Sequence, residues 1–450
     1  MTPTPGAIDT FKTPEGKDVP FYILKFNKNG VLESPQTKQE LVRVANEFTD
    51  IYFFSHGWNN DWTWANTRYR AFFKEYSEMR RKQNLSMPDS YKPLLIGVFW
   101  PSTALVFGED EQGPVIKRHA PDDSENVIAQ TQFQEDLEEV ASMFNEQDKA
   151  ELYALVQGAS LSLDEAQRLA QLASKLPLDP EVEEVVGGQA DSQEILQAWI
   201  EDSKDNKEPG RGGVHVMGVA PQADKAGTAS WLDPRRIIRL LTVAIMKDRA
   251  GVVGYRGVGP VLQDLLDHSA ARIHLIGHSY GAKVMLSALS ATRSDSRKVH
   301  CALLLQPAIS HLAFASRIPG RNWAGGYHAQ LARVDRPIFS TFSRHDVALH
   351  KVFHWALRRQ KDLGEYAIKA LQAPDPVPSV YAALGGYGPR ASGERLMPLQ
   401  SPGSPYSLDA DTRIYGLDGT ADQKIAGHGD VVSPHTAWAL YTLIQYPGSA

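Results

Sequence analysis

At 450 residues the chain is longer than a usual single domain, although a large α/β domain carrying insertions accounts for such a length. With 42% hydrophobic and 22% charged residues it has the composition of a soluble globular protein. Its net charge of −6 excludes the basic face that general nucleic-acid binding requires. The single cysteine, Cys301, excludes an intramolecular disulfide and fits a reducing compartment. The opening MTPTPGAIDT has no basic region followed by an apolar run, so no secretory signal is expected. No membrane span is expected either, since the most apolar stretch, Ile237 to Met246, is interrupted by Arg239. The expected location is the cytoplasm, with export by a machine that needs no cleaved signal left open.

Short apolar runs alternate with helical patterns along the first hundred residues, the mark of βαβ units and a parallel sheet. PFYILKF (Pro20 to Phe26) reads as a strand, TKQELVRVANEF (Thr37 to Phe48) as a helix and DIYFFS (Asp50 to Ser55) as a buried strand. A helix over Thr67 to Gln83 and a strand over Leu94 to Trp100 follow. From Pro121 to Gly210 the chain turns acidic, with 22 Asp or Glu against 5 Lys or Arg, and its apolar spacing is helical. That insertion is either a solvated charged face or a lid over an active site.

Alternation resumes with helices over Asp233 to Lys247 and Val261 to His268. The strand RIHLIG (Arg272 to Gly277) and a helix from Ala282 to about Thr292 come next. HCALLLQPA (His300 to Ala308), RPIFSTFS (Arg336 to Ser343) and TRIYGLD (Thr412 to Asp418) read as further strands. Ala373 to Ser407 is rich in Gly, Pro and Ser and reads as a long loop or cap. The expected architecture is α/β: a mostly parallel central sheet flanked by helices. Its core is divided into 1–115 and 216–450, with a helical acidic insertion over 116–215 and a loop insertion over about 373–407.

GHSYG, Gly277 to Gly281, stands between the strand ending at Ile276 and the helix beginning near Ala282. G-x-S-x-G in a strand–turn–helix setting is the nucleophile-elbow arrangement. It lifts the hydroxyl of Ser279 above the sheet on a strained turn, at a helix N-terminus that favours developing negative charge. On this motif the chain resembles the α/β-hydrolase superfamily of serine hydrolases over most of its length outside the acidic insertion. HGWNND (His56 to Asp61) and GVFWPS (Gly97 to Ser102) are similar to a group of lipase- or esterase-like bacterial α/β-hydrolases of unassigned substrate.

The resemblance implies an oxyanion hole made by the backbone N–H groups of Trp58, in the HGW loop, and Tyr280, after the nucleophile; His56-Gly57 is otherwise a tight turn. It also implies an acid and a histidine, in that order, each after a later strand. After HCALLLQPA stands Gln306, not an acid; after RPIFSTFS comes Asp346, which would orient the histidine ring and stabilise the imidazolium. Asp346 also suits an N-cap of the segment VALHKVFHWALRR. Asp335 precedes that strand and belongs at the opposite edge of the sheet. The C-terminal GHGDVVSPHTAW offers His428 and His435. Ser433-Pro434 starts a helix that takes His435 inside it, so His428, in a glycine-flanked loop, is the expected base. Asp430 orients that loop or competes with Asp346.

His350 and His354 at i, i+4 have no H-E-x-x-H around them, and GYRGVG (Gly254 to Gly259) has the wrong spacing for a dinucleotide loop, so no metal or cofactor is expected. Trp62, Trp64, Trp100 and His278 are the expected substrate contacts, forming an apolar pocket for an ester or lipid; the aromatic residues are otherwise core. The expected function is hydrolysis of carboxylic esters through an acyl-enzyme. An acyltransferase using the same residues, and a catalytically silent binding protein on the same fold, are the alternatives.

Overall fold

The computed structural model describes residues 6–58, 60–102, 133–157, 161–176, 192–193, 196, 234–319, 322–346, 348–352 and 382–445. Nine strands form one sheet: β1 Asp9–Lys12, β2 Asp18–Lys25, β3 Asp50–Ser55, β4 Pro93–Phe99, β5 Arg272–His278, β6 Cys301–Leu305, β7 Ile338–Phe342, β8 Arg395–Pro398 and β9 Ile414–Asp418. Their order is β1-β2-β4-β3-β5-β6-β7-β9-β8. β1 lies antiparallel to β2, and the other pairings among the described residues are parallel. Strands β3 to β7 are buried along nearly their whole length, which is why they read as predominantly apolar runs.

Eight helices bear on the argument: α1 Pro35–Val44, α2 Trp62–Lys82, α3 Glu146–Leu155, α4 Leu163–Ser174, α5 Pro234–Val252, α6 Gly259–His268, α7 Tyr280–Ser290 and α8 Pro434–Gln445. Alternate strand residues point to opposite faces, and each face has its own core. On one, Phe53, Ile96, Leu275 and Leu304 pack with α1, α5, α6 and α7. On the other, Phe54, Leu95, Ile276 and Leu303 pack with α2 and α8. The chain is therefore a three-layer α/β structure with a mostly parallel sheet flanked by helices.

Local chemistry sets the helix ends. The Asp61 side chain accepts from Trp64 N at 2.8 Å at the start of α2, and Arg80, Arg81 and Lys82 sit in its last turn, favourable to the helix dipole. Ser162 and Glu165 form a capping box on α4. Ser433 Oγ accepts from Thr436 N at 3.2 Å, with Pro434 as the first residue of α8. GYRGVG overlaps a π-helical turn, Val253–Val258, that joins α5 to α6.

Within the acidic insertion the described helices, residues 133–141 together with α3 and α4, bury Leu137, Val140, Leu152 and Leu169 against Ile237, Ile238, Leu241 and Ile245 of α5. The other side of α5 enters the sheet core through Val243, Met246 and Ala250, so this helix belongs to both units. A buried ion pair of Arg249 with Glu139 joins them, and Arg249 also donates to Pro101 O at 3.0 Å, just past β4. The expected loop over about 373–407 lies outside the described residues up to 381. From 382 on it holds a helical turn, Leu384–Tyr387, and the edge strand β8. Among the described residues no helix is long and apolar enough to cross a membrane.

Candidate active site

In a parallel sheet the C-terminal ends of the strands share one edge, and the residues that follow β3, β5, β6, β7 and β9 meet there. Ser279 follows β5 at φ 56° and ψ −125°, a left-handed backbone rare for a residue with a side chain. Two glycines make room for it. A Cβ on Gly281 would collide with the carbonyls of Ser55 and His56, and one on Gly57 would lie 2.6 Å from Ser279 Cβ and 3.1 Å from its Oγ. The HGW loop is thus packed directly against the serine hydroxyl.

His428 Nε2 lies 2.8 Å from Ser279 Oγ, and His428 Nδ1 lies 2.8 Å from Asp346 Oδ2. A carboxylate only accepts, so Nδ1 carries the proton and Nε2 is left to accept from the serine hydroxyl. Asp346 is fully buried. Its Oδ2 also accepts from Gln306 Nε2 at 3.0 Å, and its Oδ1 from Leu349 N at 3.0 Å, so three donors converge on one carboxyl group. The N-cap alternative for Asp346 is present in that last bond; the side chain serves both purposes.

The loop that carries His428 is held by its carbonyls, each taken by a side chain from a different element. Ser343 Oγ donates to Ile425 O at 2.8 Å, Gln306 Nε2 to Gly427 O at 2.7 Å, and His278 Nε2 to His428 O at 2.9 Å. Arg68 Nη1 reaches Gly429 O at 3.4 Å. Asp430 is exposed and accepts from Ala426 N at 3.0 Å, so it orients the loop while Asp346 holds the ring. His435 lies inside α8, as the Ser433-Pro434 start implies. Asp335 lies before β7 at the other end of the strands, 3.7 Å from His300 Nδ1.

The HGW loop is rigid for identifiable reasons. His56 is fully buried between β3 and β4, stacked on Trp100 with ring centroids 5.5 Å apart. Its Nδ1 donates to Gly57 O at 2.8 Å and its Nε2 accepts from Trp100 N at 3.3 Å, which uses both nitrogens of a neutral ring. Burial lowers its pKa to about 4. Asn60 Nδ2 donates to Gly57 O at 3.0 Å and to Trp58 O at 2.8 Å. With the carbonyl of Gly57 fixed, the trans peptide directs the N–H of Trp58 the opposite way. Tyr280 opens α7, where the first N–H groups have no intrahelical acceptor.

Two expected substrate contacts take other roles. Trp100 is fully buried, and its indole N–H donates to His56 O at 3.2 Å, so it braces the loop from within the core. His278 is buried as well. It donates from Nε2 to His428 O and accepts at Nδ1 from Arg68 Nη1 at 3.2 Å, which leaves no ring nitrogen for a substrate. Burial first, and then the Arg68 charge, hold its pKa well below the ordinary histidine value. Trp62 is half-buried edge-on against Phe99, and Trp64 is exposed at the start of α2. His350 Nε2 donates to Ser343 O at 3.3 Å, and His354 lies outside the described residues.

No family model, no curated protein and no solved structure matches this chain.

A second hydrogen-bonded series of Asp, His and a side chain that could act as a nucleophile lies deeper in the fold. Near the N-terminal ends of the strands, His274 Nε2 is 2.8 Å from Asp50 Oδ1 and His274 Nδ1 is 3.1 Å from Cys301 Sγ. All three side chains are fully buried, with Tyr52 stacked on the imidazole. Burial pushes the thiol pKa far up and the imidazole pKa down, so the thiolate that reacts is suppressed. The side chain of His428, by contrast, is 27% exposed at the strand edge.

Sequence reasoning does not single out Arg68, and it marks Gln306 only as the position where an acid is absent. Gln306 has a positive φ of 43°, and both groups facing its Nε2 are acceptors, which fixes the amide orientation.

Proposed function

We propose that the chain is a serine hydrolase of the α/β-hydrolase type that cleaves carboxylic esters. The observation that carries this reading is the continuous Ser279–His428–Asp346 relay, 2.8 Å at each link, with the serine held at positive φ between strand and helix. The strand order supports it, with the nucleophile after β5, the acid after β7 and the base after β9, all at one sheet edge.

In the first half-reaction Ser279 Oγ attacks the ester carbonyl while its proton passes to His428 Nε2. The N–H groups of Trp58 and Tyr280 hold the oxyanion, and Asp346 stabilises the imidazolium. The C–O bond to the leaving alcohol breaks as His428 returns the proton to it, leaving an acyl group on Ser279. Water then adds with His428 as base, and the acid departs with the serine restored. An ester with an apolar portion suits the half-buried Trp62 and the exposed Trp64 beside the loop.

Stopped-flow hydrolysis of a p-nitrophenyl ester tests the reading. A burst of about one equivalent of phenolate, followed by slower turnover, is the signature of an acyl-enzyme. Added alcohol that yields a new ester in place of free acid would assign an acyltransferase. Absence of turnover on any activated ester would sink both.

A further inference from the structure

Arg68 is a cation beside His278 and the loop of His428 that has no counter-charge among the described residues. It projects from α2, half-buried, and spends one nitrogen on His278 Nδ1 at 3.2 Å and a long contact on Gly429 O at 3.4 Å. Among the described residues no carboxylate lies within ion-pairing distance of it. Arg43, Arg70, Arg80, Arg249, Arg272, Arg293 and Arg395 each have one. The carboxylates of the facing loops are engaged elsewhere, Asp346 by His428, Gln306 and Leu349, and Asp430 by Ala426. The rings around it, His278 and His56, are kept neutral by burial and add no negative charge.

A partly desolvated guanidinium without an anion is costly to keep, more so beside a histidine that must become cationic during turnover. Bracing a loop would not need the charge, since a neutral donor makes the same bonds to His278 and Gly429. A planar guanidinium fork is instead suited to a carboxylate or phosphate in bidentate fashion. Trp64, exposed one helical turn before Arg68 at i, i+4, lies on the same side of α2.

We propose that Arg68 anchors an oxyanion group, carboxylate or phosphate, carried by the substrate, so that the preferred esters are anionic. The assignment rests on the ester-hydrolase reading above. The anion would supply the missing counter-charge and hold the acyl or alcohol portion beside Ser279.

Three p-nitrophenyl esters of equal chain length test it: one neutral, one ending in a carboxylate and one ending in a phosphate. The native protein is expected to favour an anionic ester by about tenfold or more in kcat/KM, the range of one charge-assisted hydrogen bond, with the two anionic arms identifying the group. Arg68→Met should remove that preference mainly through KM, and Arg68→Lys should restore part of it. High salt should erode it as well. Equal rates on all three esters, or an Arg68→Met variant that slows neutral and anionic esters by the same factor, would overturn the anchor and leave Arg68 as a loop brace. Fluorophosphonate labelling of Ser279 on the same preparations reports the hydrolase reading separately. Labelled protein without the preference removes the anchor alone, and unlabelled protein removes both.

Discussion

Gln306 Nε2 lies 3.0 Å from Asp346 Oδ2 and 2.7 Å from Gly427 O, so one amide nitrogen ties Asp346 to the loop that carries His428. The two residues follow neighbouring strands, β6 and β7. Gln306→Leu keeps the volume and removes both bonds, and kcat/KM is expected to fall about 10- to 100-fold as the loop loosens. Gln306→Glu should do more damage, because two carboxyl groups at such a distance share a proton and cannot both ionise. Its pH–rate profile should gain an ionisation that the Leu variant lacks. An undisturbed Gln306→Leu rate would show that the contact orders nothing.

Asp346 and Asp430 serve different ends, and paired variants separate them. Asp346→Asn can accept from His428 Nδ1 through its amide oxygen only in one orientation, and otherwise presents a donor that inverts the tautomer; kcat should drop about 10⁴-fold. Asp430→Asn still caps Ala426 N from an exposed side chain and should cost less than about tenfold. Steady-state kinetics on one ester suffices. The reverse ranking would move the acid to Asp430.

Backbone strain at Ser279 makes a prediction about stability. Ser279→Gly accepts φ 56° without a steric penalty and should raise the unfolding free energy by about 1 kcal/mol while abolishing turnover. Gly57→Ala should lower stability, since its Cβ would stand 2.6 Å from Ser279 Cβ. Denaturant midpoints of the two variants, shifted in opposite directions, are the expected result.

Strands β2 to β7 and β9 are legible in the sequence because each is mostly buried and carries a predominantly apolar run. β1 (DTFK) and β8 (RLMP) are four-residue edge strands with exposed positions and no such run, and β8 hides in a Gly/Pro-rich stretch. Ser279, Asp346 and His428 were legible because each follows a strand in a fixed order. Arg68 was not: nothing local distinguishes it from Arg70, two residues on, which pairs with Asp9. Gln306 stood out as the absence of an acid, while its contact with Asp346 depends on two loops meeting across the sheet edge. His278 and Trp100, expected as substrate contacts, brace the loops from inside the fold instead, because spacing cannot tell which polar atoms are already taken.

Acid should destabilise the fold in a defined window. His56 and His300 have pKa values lowered to about 4, and those of His274 and His278 are also depressed, in each case chiefly by burial. The unfolded chain protonates these rings near pH 6.5 and the native state resists, so stability present above that pH is lost as pH falls toward 4. His56, fully buried, contributes about 3 kcal/mol to that loss. Urea midpoints at pH 7.5 and pH 5 should differ, the latter lower with the slope unchanged. Equal midpoints would mean that these rings are protonated in the native state.

The proposed function depends on Ser279 being activated by His428. Intact-protein mass spectrometry after brief exposure to a fluorophosphonate measures that activation without knowledge of the substrate. One adduct should form on the native protein, map to Ser279, vanish in Ser279→Ala and form at least about 100-fold more slowly in His428→Ala. No adduct on the native protein, or an adduct that persists in Ser279→Ala, would show that the relay is not a catalytic one and that the chain keeps this fold for binding alone.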